Sequence, residues 1–406
     1  MISVEQHLGR ILQTVRPVPS FDLGVLDAQG CVLAADVAAN GQLPGFTNSA
    51  MDGYAVHAAD LAGASPESPV VLPVVNDIAA GNTNALSLAT GQTMRIMTGA
   101  PLPRGADAVV PVEHTDGGVV RVSLTTAPRP GQHVRLEGED VHAGECILRA
   151  GTLLGPGQIA LLAAAGVPRV RVVPRPRVVV LSTGDELVEP GRRPGFGQIV
   201  DSNSLMLTAA VRAVGATPYR VGGVPDDARQ LMETLEGQLV RADAIITTGG
   251  VSMGAFDTVK EVLSRVGTVQ FDKVAMRPGM PQGFGVLGEE QVPVFTLPGN
   301  PVSALVSFHV FVAPALRAMA GRPERAFPPG FVPAVAAESW SSVEGKMEFT
   351  RVVTDGDMVR LAGGQGSHML GALAAADALA VIPPEVSEVF EGDEVYCLPL
   401  LGAEAP

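Results

Sequence analysis

The segment from Arg177 to Gly321 constrains the fold most, because short apolar runs alternate there with stretches of helical periodicity. Arg177–Ser182 carries Val178, Val179, Val180 and Leu181 without a polar interruption, the pattern of a strand covered on both faces. Further strands are expected at Pro218–Val224, Ala244–Thr248, Val269–Val274 and Val292–Thr296. Helices are expected over Ser204–Val214, Ala228–Val240, Thr258–Val266 and Pro301–Gly321. Ser202 or Asn203 is available to cap the first of these and Gly215 to stop it. Strands alternating with amphipathic helices imply a doubly wound, mostly parallel sheet.

The flanks follow another pattern. Val4, Leu8, Ile11, Leu12 and Val15 recur at helical spacing within Met1–Val15, a segment whose polar residues argue against a signal peptide. From Val70 to Val141, glycine and proline punctuate short strand-like runs, which predicts a β-rich module. Gly155–Ala165 predicts a helix opened by Pro156. Beyond a linker at Pro323–Pro329, short strands return, with a helix only at Met369–Ala376, and a small β-barrel or sandwich is expected. A chain of 406 residues exceeds what one core supports, so the class is α/β multidomain.

The formal charge of −14 argues against a nucleic-acid partner and an anionic membrane surface, both of which call for clustered Lys and Arg. The apolar run Ser303–Leu316 is too short to span a bilayer. Cys31, Cys146 and Cys397 stand far apart and form neither a zinc motif nor a disulfide framework. The cytoplasm is the expected compartment.

In a doubly wound sheet, ligands bind beyond the carboxyl ends of the strands. Those ends are predicted to carry Ser182-Thr183-Gly184-Asp185-Glu186, Asp226-Asp227, Thr248 with the loop Gly249–Asp257, and Pro298-Gly299-Asn300-Pro301. The Gly249–Asp257 loop holds Gly249, Gly250, Ser252 and Gly254, whose backbone can approach an anion closely, and a helix follows it. Lys260 in that helix's first turn opposes the dipole, which an anion in front would explain. A plain turn, with Asp257 as cap and Lys260 in solvent, explains the same residues. Asp185, Glu186, Asp226, Asp227 and Asp257 would repel a phosphate on this rim, and a Mg²⁺ between them would remove the conflict. Asp226 and Asp227 read equally as helix caps.

Elsewhere, Asn48-Ser49-Ala50-Met51-Asp52-Gly53-Tyr54 and the carboxylate cluster Glu137-Gly138-Glu139-Asp140 are either functional or solvated loops. Lys273, Arg277, Lys346 and Arg351 supply positive charge to an acidic chain. His368 is open to a catalytic or a structural role.

Together these stretches resemble the molybdopterin molybdenumtransferase family, MoeA in bacteria, which includes the E domains of gephyrin and its plant counterpart. The resemblance runs through Leu43-Pro44-x-Phe46-x-Asn48-Ser49-Ala50-Met51-Asp52-Gly53-Tyr54-Ala55-Val56, Met97–Pro103 with Gly105–Val110, and Ser182–Leu187. It continues through Asp201-Ser202-Asn203, the Gly249–Asp257 loop and Leu297–Pro301. It implies insertion of molybdate at the dithiolene of adenylylated molybdopterin, with Mg²⁺-dependent release of AMP. It further implies a homodimer with a shared site, and transient contact with the molybdopterin adenylyltransferase and with molybdoenzyme apoproteins.

The expected domains are 1–43 with 139–173 (linker and dimerisation), 44–138 (inserted, β-rich), 174–322 (molybdopterin-binding) and 323–406 (barrel-like). By resemblance, Asp257, Glu186 and Asp226 hold metal and phosphate. Asp52, Thr98 and Asp140 reach the pocket from the β-rich part of the partner subunit. Thr183, Gly184, Asp185, Ser202, Thr248, Gly249, Gly250, Ser252, Gly254, Pro298, Gly299 and Asn300 contact the substrate. Arg351 and Ser367 match the molybdate pocket, and Lys273 and Arg277 its basic loop. That loop departs from the family's K-P-G-K-P: it reads Arg277-Pro278-Gly279-Met280-Pro281, with no charge at Met280. The alternatives are a non-catalytic scaffold of the same fold and the adenylyltransferase itself, which would lack the β-rich modules.

Overall fold

A computed structural model describes residues 1–249, 258–266, 268–322 and 330–400. The linker Pro323–Pro329 lies outside them, as does most of the Gly249–Asp257 loop, from Gly250 onward. The chain forms two compact units, one of Met1–Phe21, Gly30–Ala34 and Arg171–Pro406, the other of Asp22–Gln29 and Ala35–Val170.

In the larger unit, helix α1 (Val4–Thr14) opens with a capping box between Ser3 and Gln6 and buries Val4, His7, Leu8 and Ile11. The sheet then builds from β1 (Arg177–Thr183), β2 (Thr217–Val224), β3 (Ala244–Thr248), β4 (Gln270–Lys273), β5 (Pro281–Leu287) and β6 (Val292–Leu297). Its order is β2-β1-β3-β6-β5-β4. The first four are parallel, and β5 and β4 are antiparallel additions. Helices α2 (Asn203–Ala213), α3 (Ala228–Leu239), α4 (Thr258–Val266) and α5 (Pro301–Met319) complete the layers.

Strand β1 shows why the layers form. Val178 and Val180 pack in one core with Leu207 and Val211 of α2 and with α5, while Val179 and Leu181 pack in another with Leu231 and Leu235 of α3 and with Val262 and Leu263 of α4. All four strand residues are fully buried. At roughly 1.5–3 kcal/mol per buried aliphatic side chain, an unbroken apolar strand is stable only between two helical layers.

Strand β5 is not among the strands expected from the sequence. Pro281, Gly283 and Gly285 interrupt its apolar run. They suit its place, because a Cβ on Gly283 would stand 2.8 Å from the Phe271 ring of β4. Helix α5 contains a π-turn over Phe308–Val312, just before Pro314, which has no N–H to continue the regular ladder. Among the described residues α5 is the one helix long and apolar enough to cross a membrane, and 83% of its apolar window is buried in the protein.

The carboxyl-terminal strands β7 (Val332–Ala336), β8 (Met347–Asp355), β9 (Met358–Leu361), β10 (Ala378–Ile382) and β11 (Glu394–Pro399) run in the order β8-β9-β7-β11-β10. A further pairing of β10 with β8 closes them into a five-stranded barrel. The short strand Met276–Arg277 adds to β8 outside the ring.

The smaller unit is built on a five-stranded sheet, in the order 108–111, 53–56, 93–96, 70–78, 121–124. Tyr54, Val56, Leu61, Val110, Val122 and Leu124 form one of its cores. Its helix, Pro156–Ala164, starts at the expected proline.

Candidate active site

The carboxyl ends of β1, β2, β3 and β6 meet as the parallel order requires. Asn203, at the start of α2, ties two of them together: its Nδ2 donates to Thr248 Oγ1 at 3.1 Å and to the Gly299 carbonyl at 2.6 Å. Thr248 Oγ1 donates in turn to the Pro298 carbonyl at 3.1 Å. Gly249 has φ +94°, and a Cβ there would stand 2.7 Å from the Thr183 carbonyl, so only glycine lets β3 leave the sheet this close to β1. The Thr183 hydroxyl and the Asn203 side-chain oxygen are buried without a hydrogen-bond partner among the described residues. Such groups suit a polar ligand seated on this rim.

Beneath the rim, the buried Asp201 accepts from Ser182 Oγ and Ser204 N–H at 3.0 Å and from Ser204 Oγ at 2.5 Å. Arg220 joins this group to Glu189, 2.8 Å away. Asp201 thus fixes the first turn of α2, and neither Ser202 nor Asn203 acts as the side-chain cap.

The acidic residues face one another at the ends of β1 and β2. Asp226 N–H donates to Asp185 Oδ1 at 3.1 Å. Burial, and then the charges of Asp185 and Glu186, push the Asp226 carboxyl above its ordinary pKa. Asp227 instead caps α3, accepting from Gln230 N–H at 2.8 Å. Among the described residues no three His, Cys, Asp or Glu side chains gather closely enough to hold a metal ion. Asp257, expected to supply the leading ligand, lies outside the described residues, as do Gly250, Ser252 and Gly254. Lys260 is exposed, and its ammonium lies 5.8 Å from the centroid of the Phe271 ring.

A second polar feature lies in the same unit. A cavity of about 280 Å³ is lined by Arg277, Ser303, Glu348, Arg351, Gln365 and Ser367, with neighbouring backbone. Arg351 is 1% exposed, donates to the carbonyls of Gly364 at 2.6 Å and Gly366 at 3.1 Å, and leaves its Nε without a partner among the described residues. Burial lowers the pKa of its guanidinium. Asn300 Nδ2 donates to Ser367 Oγ at 3.1 Å, so the end of β6 reaches the cavity wall. Lys273, at the end of β4, does not line the cavity.

In the smaller unit, Asp52 accepts from Thr98 N–H at 2.6 Å and Thr98 Oγ1 at 2.8 Å, and these bonds hold its carboxyl below the usual range. Asp140 N–H donates to the Leu43 carbonyl at 2.9 Å, and no hydrogen bond joins its carboxylate to Asp52 or Thr98.

Of the residues singled out from the sequence, Thr183, Gly184, Asp185, Glu186, Ser202, Asp226, Thr248, Gly249, Pro298, Gly299 and Asn300 lie at or beside the strand ends of one sheet. Arg277, Arg351 and Ser367 share one cavity, and Asp52 and Thr98 one hydrogen-bonded pair. Ser303, Glu348 and Gln365 were not among the expected site residues, and Asn203 was expected only as a helix cap. The signal for Asn203 and Ser303 was their place in Asp201-Ser202-Asn203 and just after Pro298–Pro301.

A β-rich amino-terminal region, then a doubly wound α/β domain, then a five-stranded barrel is the order of parts along the chain. The family model "MoeA N-terminal region (domain I and II)" matches residues 2–166, "Probable molybdopterin binding domain" 179–318 and "MoeA C-terminal region (domain IV)" 333–400. Molybdopterin molybdenumtransferase 2 of Mycobacterium tuberculosis is 46% identical over 97% of this chain and 98% of its own length. Molybdopterin molybdenumtransferase of Nostoc is 39% identical over 92% of this chain and 87% of its own. The solved structure of a molybdopterin biosynthesis MoeA protein from Pyrococcus horikoshii superposes with a TM-score of 0.81 at 31% identity, covering 99% of this chain and 100% of that one. The chain belongs to the molybdopterin molybdenumtransferase family.

Proposed function

We propose that the chain is a transferase of molybdenum cofactor synthesis, joining molybdate to adenylylated molybdopterin with release of AMP. The observation that carries this is the pairing, within one unit, of a strand-end rim suited to a phosphorylated ligand with an oxyanion cavity holding Arg277, Arg351 and Ser367. The two are joined through Asn300, whose backbone follows the rim and whose side chain bonds Ser367.

The protein's share of the work is positioning and electrostatics. Gly249, Thr248 and Asn203 hold the rim open for the phosphate end of the substrate. Arg277 and Arg351 offer guanidinium forks, and Ser303 and Ser367 hydroxyls, to a tetrahedral oxyanion. The carboxylates Glu186 and Asp226, with Asp257, would hold Mg²⁺. Their chemistry fits a hard divalent cation: burial and then the charges of Asp185 and Glu186 disfavour the ionised Asp226 carboxyl, and a bound cation would offset that cost. Bound there, Mg²⁺ would neutralise phosphate charge as AMP departs. Asp52, oriented by Thr98, and Asp140 would complete the site from the partner subunit of a homodimer. The same reading places the protein in the cytoplasm, in transient contact with the adenylyltransferase and with molybdoenzyme apoproteins, and divides it into the four domains set out above.

A non-catalytic scaffold is disfavoured, because it has no use for the acidic rim or for a buried guanidinium on an oxyanion cavity. The test is incubation of the purified protein with adenylylated molybdopterin, Mg²⁺ and molybdate. Molybdate-dependent AMP release, abolished in Glu186→Gln and in Asp257→Ala, is expected. Full turnover by both variants would remove the metal-site assignment, and no release by the wild type would remove the activity.

A further inference from the structure

We propose that Glu348 is the built-in counter-anion that limits how tightly the Arg277–Arg351 cavity takes a tetrahedral oxyanion, and so sets its selectivity. The inference rests on the molybdate reading of that cavity. The short strand Met276–Arg277 runs parallel to β8, with Arg277 in register with Glu348. This register sets guanidinium and carboxylate side by side on the cavity wall, 3.4 Å apart.

The two members of the pair are held differently. Glu348 is 5% exposed, and its Oε2 accepts from Ser342 Oγ and from Val343 N–H, both at 2.9 Å. It cannot turn away from the cavity without leaving those donors unmet. The side chain of Arg277 is half-exposed, and its contact to Glu348 is longer than a well-formed charge-assisted hydrogen bond. Arg277 is therefore the member with room to move. Arg351 is fixed by two backbone carbonyls.

The consequence is electrostatic. The cavity wall carries two guanidiniums and one carboxylate, and Met280 adds no further charge. An entering oxyanion must draw Arg277 from Glu348 while standing near a fixed like charge. Only an anion that engages both guanidiniums and the hydroxyls together overcomes that opposition. A weakly held or singly charged anion is turned away.

The test is equilibrium dialysis of the full-length protein against molybdate, with near-ultraviolet circular dichroism as the check on folding. Glu348→Gln keeps an oxygen for Ser342 and Val343 but removes the charge, so it is expected to bind molybdate about tenfold more tightly. Arg277→Met leaves Glu348 uncompensated and is expected to bind most weakly. The double variant is expected to bind more tightly than Arg277→Met alone, a rescue that a structural role for Glu348 would not give. A folded Glu348→Gln protein with unchanged or weaker binding overturns the proposal, as does a double variant no better than Arg277→Met. If the folded wild type binds no molybdate, the reading of the cavity falls and takes the proposal with it. If the wild type binds and the Glu348 variants fail, the proposal alone falls.

Discussion

Asp52 Oδ1 accepts both the backbone N–H and the hydroxyl of Thr98, two donors of one residue on one carboxylate oxygen. The arrangement fixes the carboxylate at the surface of the smaller unit, with its second oxygen left for another partner. Helix caps and buried acids usually serve the fold, but this group is exposed and caps nothing.

Asp52→Ala is therefore expected to stay folded and to lose about a hundredfold or more of AMP release, since positioning groups cost that much when removed. Asp52→Asn keeps one acceptor for Thr98 and should fold as the wild type does. The Thr98 bonds depress the Asp52 pKa. Their contribution to stability is present above the unfolded carboxylate value, near pH 4, and is lost as pH falls through the lower folded value. Acid unfolding of Thr98→Val should accordingly begin at a higher pH than that of the wild type. A fully active Asp52→Ala protein would show that this loop takes no part in the site.

Asp226 behaves in the opposite sense. Burial and the charges of Asp185 and Glu186 raise its folded pKa above the unfolded value. Its charged form thus costs stability at neutral pH, and that stability returns as pH falls through the folded value. Asp226→Asn is expected to raise the melting temperature of the Mg²⁺-free protein at pH 7 while lowering Mg²⁺-dependent turnover. Thermal unfolding with and without Mg²⁺ tests both effects. A variant that is less stable in both conditions would contradict the repulsion argument.

How much of this was legible beforehand depended on the range of the signal. The run Val178–Leu181 declares its two-faced burial locally, so the doubly wound sheet followed from sequence pattern. Strand β5 did not, because its glycines are required by Phe271 on the neighbouring strand β4 and by Val269 just before it, and no local pattern records that. Ser202 and Asn203 read as caps, yet the cap belongs to Asp201, and Asn203 spends its amide on Thr248 and Gly299 far along the chain. Lys260 read as either a partner for an anion or a solvated cation, and in the structure it is exposed beside the Phe271 ring. The Arg277–Arg351 cavity was visible only through family resemblance: the two residues come together because Met276–Arg277 pairs with the barrel strand β8. Glu348 went unnoticed for the same reason.

Gly249→Ala tests directly how closely the chain leaving β3 passes the end of β1. The backbone there has φ +94°, and the added methyl would meet the Thr183 carbonyl at 2.7 Å. A cost of about 1–3 kcal/mol in unfolding free energy is expected from the strained conformation and the forced shift. Substrate binding should weaken with it, because Thr248 and Thr183 are displaced together. Urea unfolding measures the first effect and AMP release at increasing substrate the second. A variant of wild-type stability would mean that the rim tolerates a wider separation at Gly249 and Thr183 than its geometry suggests.

Arg351 separates structural from chemical roles at the cavity it shares with Arg277. Its guanidinium is buried and holds the loop at Gly364–Gly366 by two carbonyls, with Nε left over. Arg351→Ala removes charge, fork and packing together, so it should cost about 2–4 kcal/mol of stability and abolish molybdate binding. Arg351→Lys keeps the charge as a point and loses the planar fork. It should recover much of the stability, since an ammonium can still donate to a carbonyl, but little of the molybdate affinity. If binding instead tracked stability across the two variants, the residue's part would be to shape the loop, and the anion contacts would fall to Arg277, Ser303 and Ser367. Binding lost in a lysine variant that remains stable places the guanidinium itself against the oxyanion.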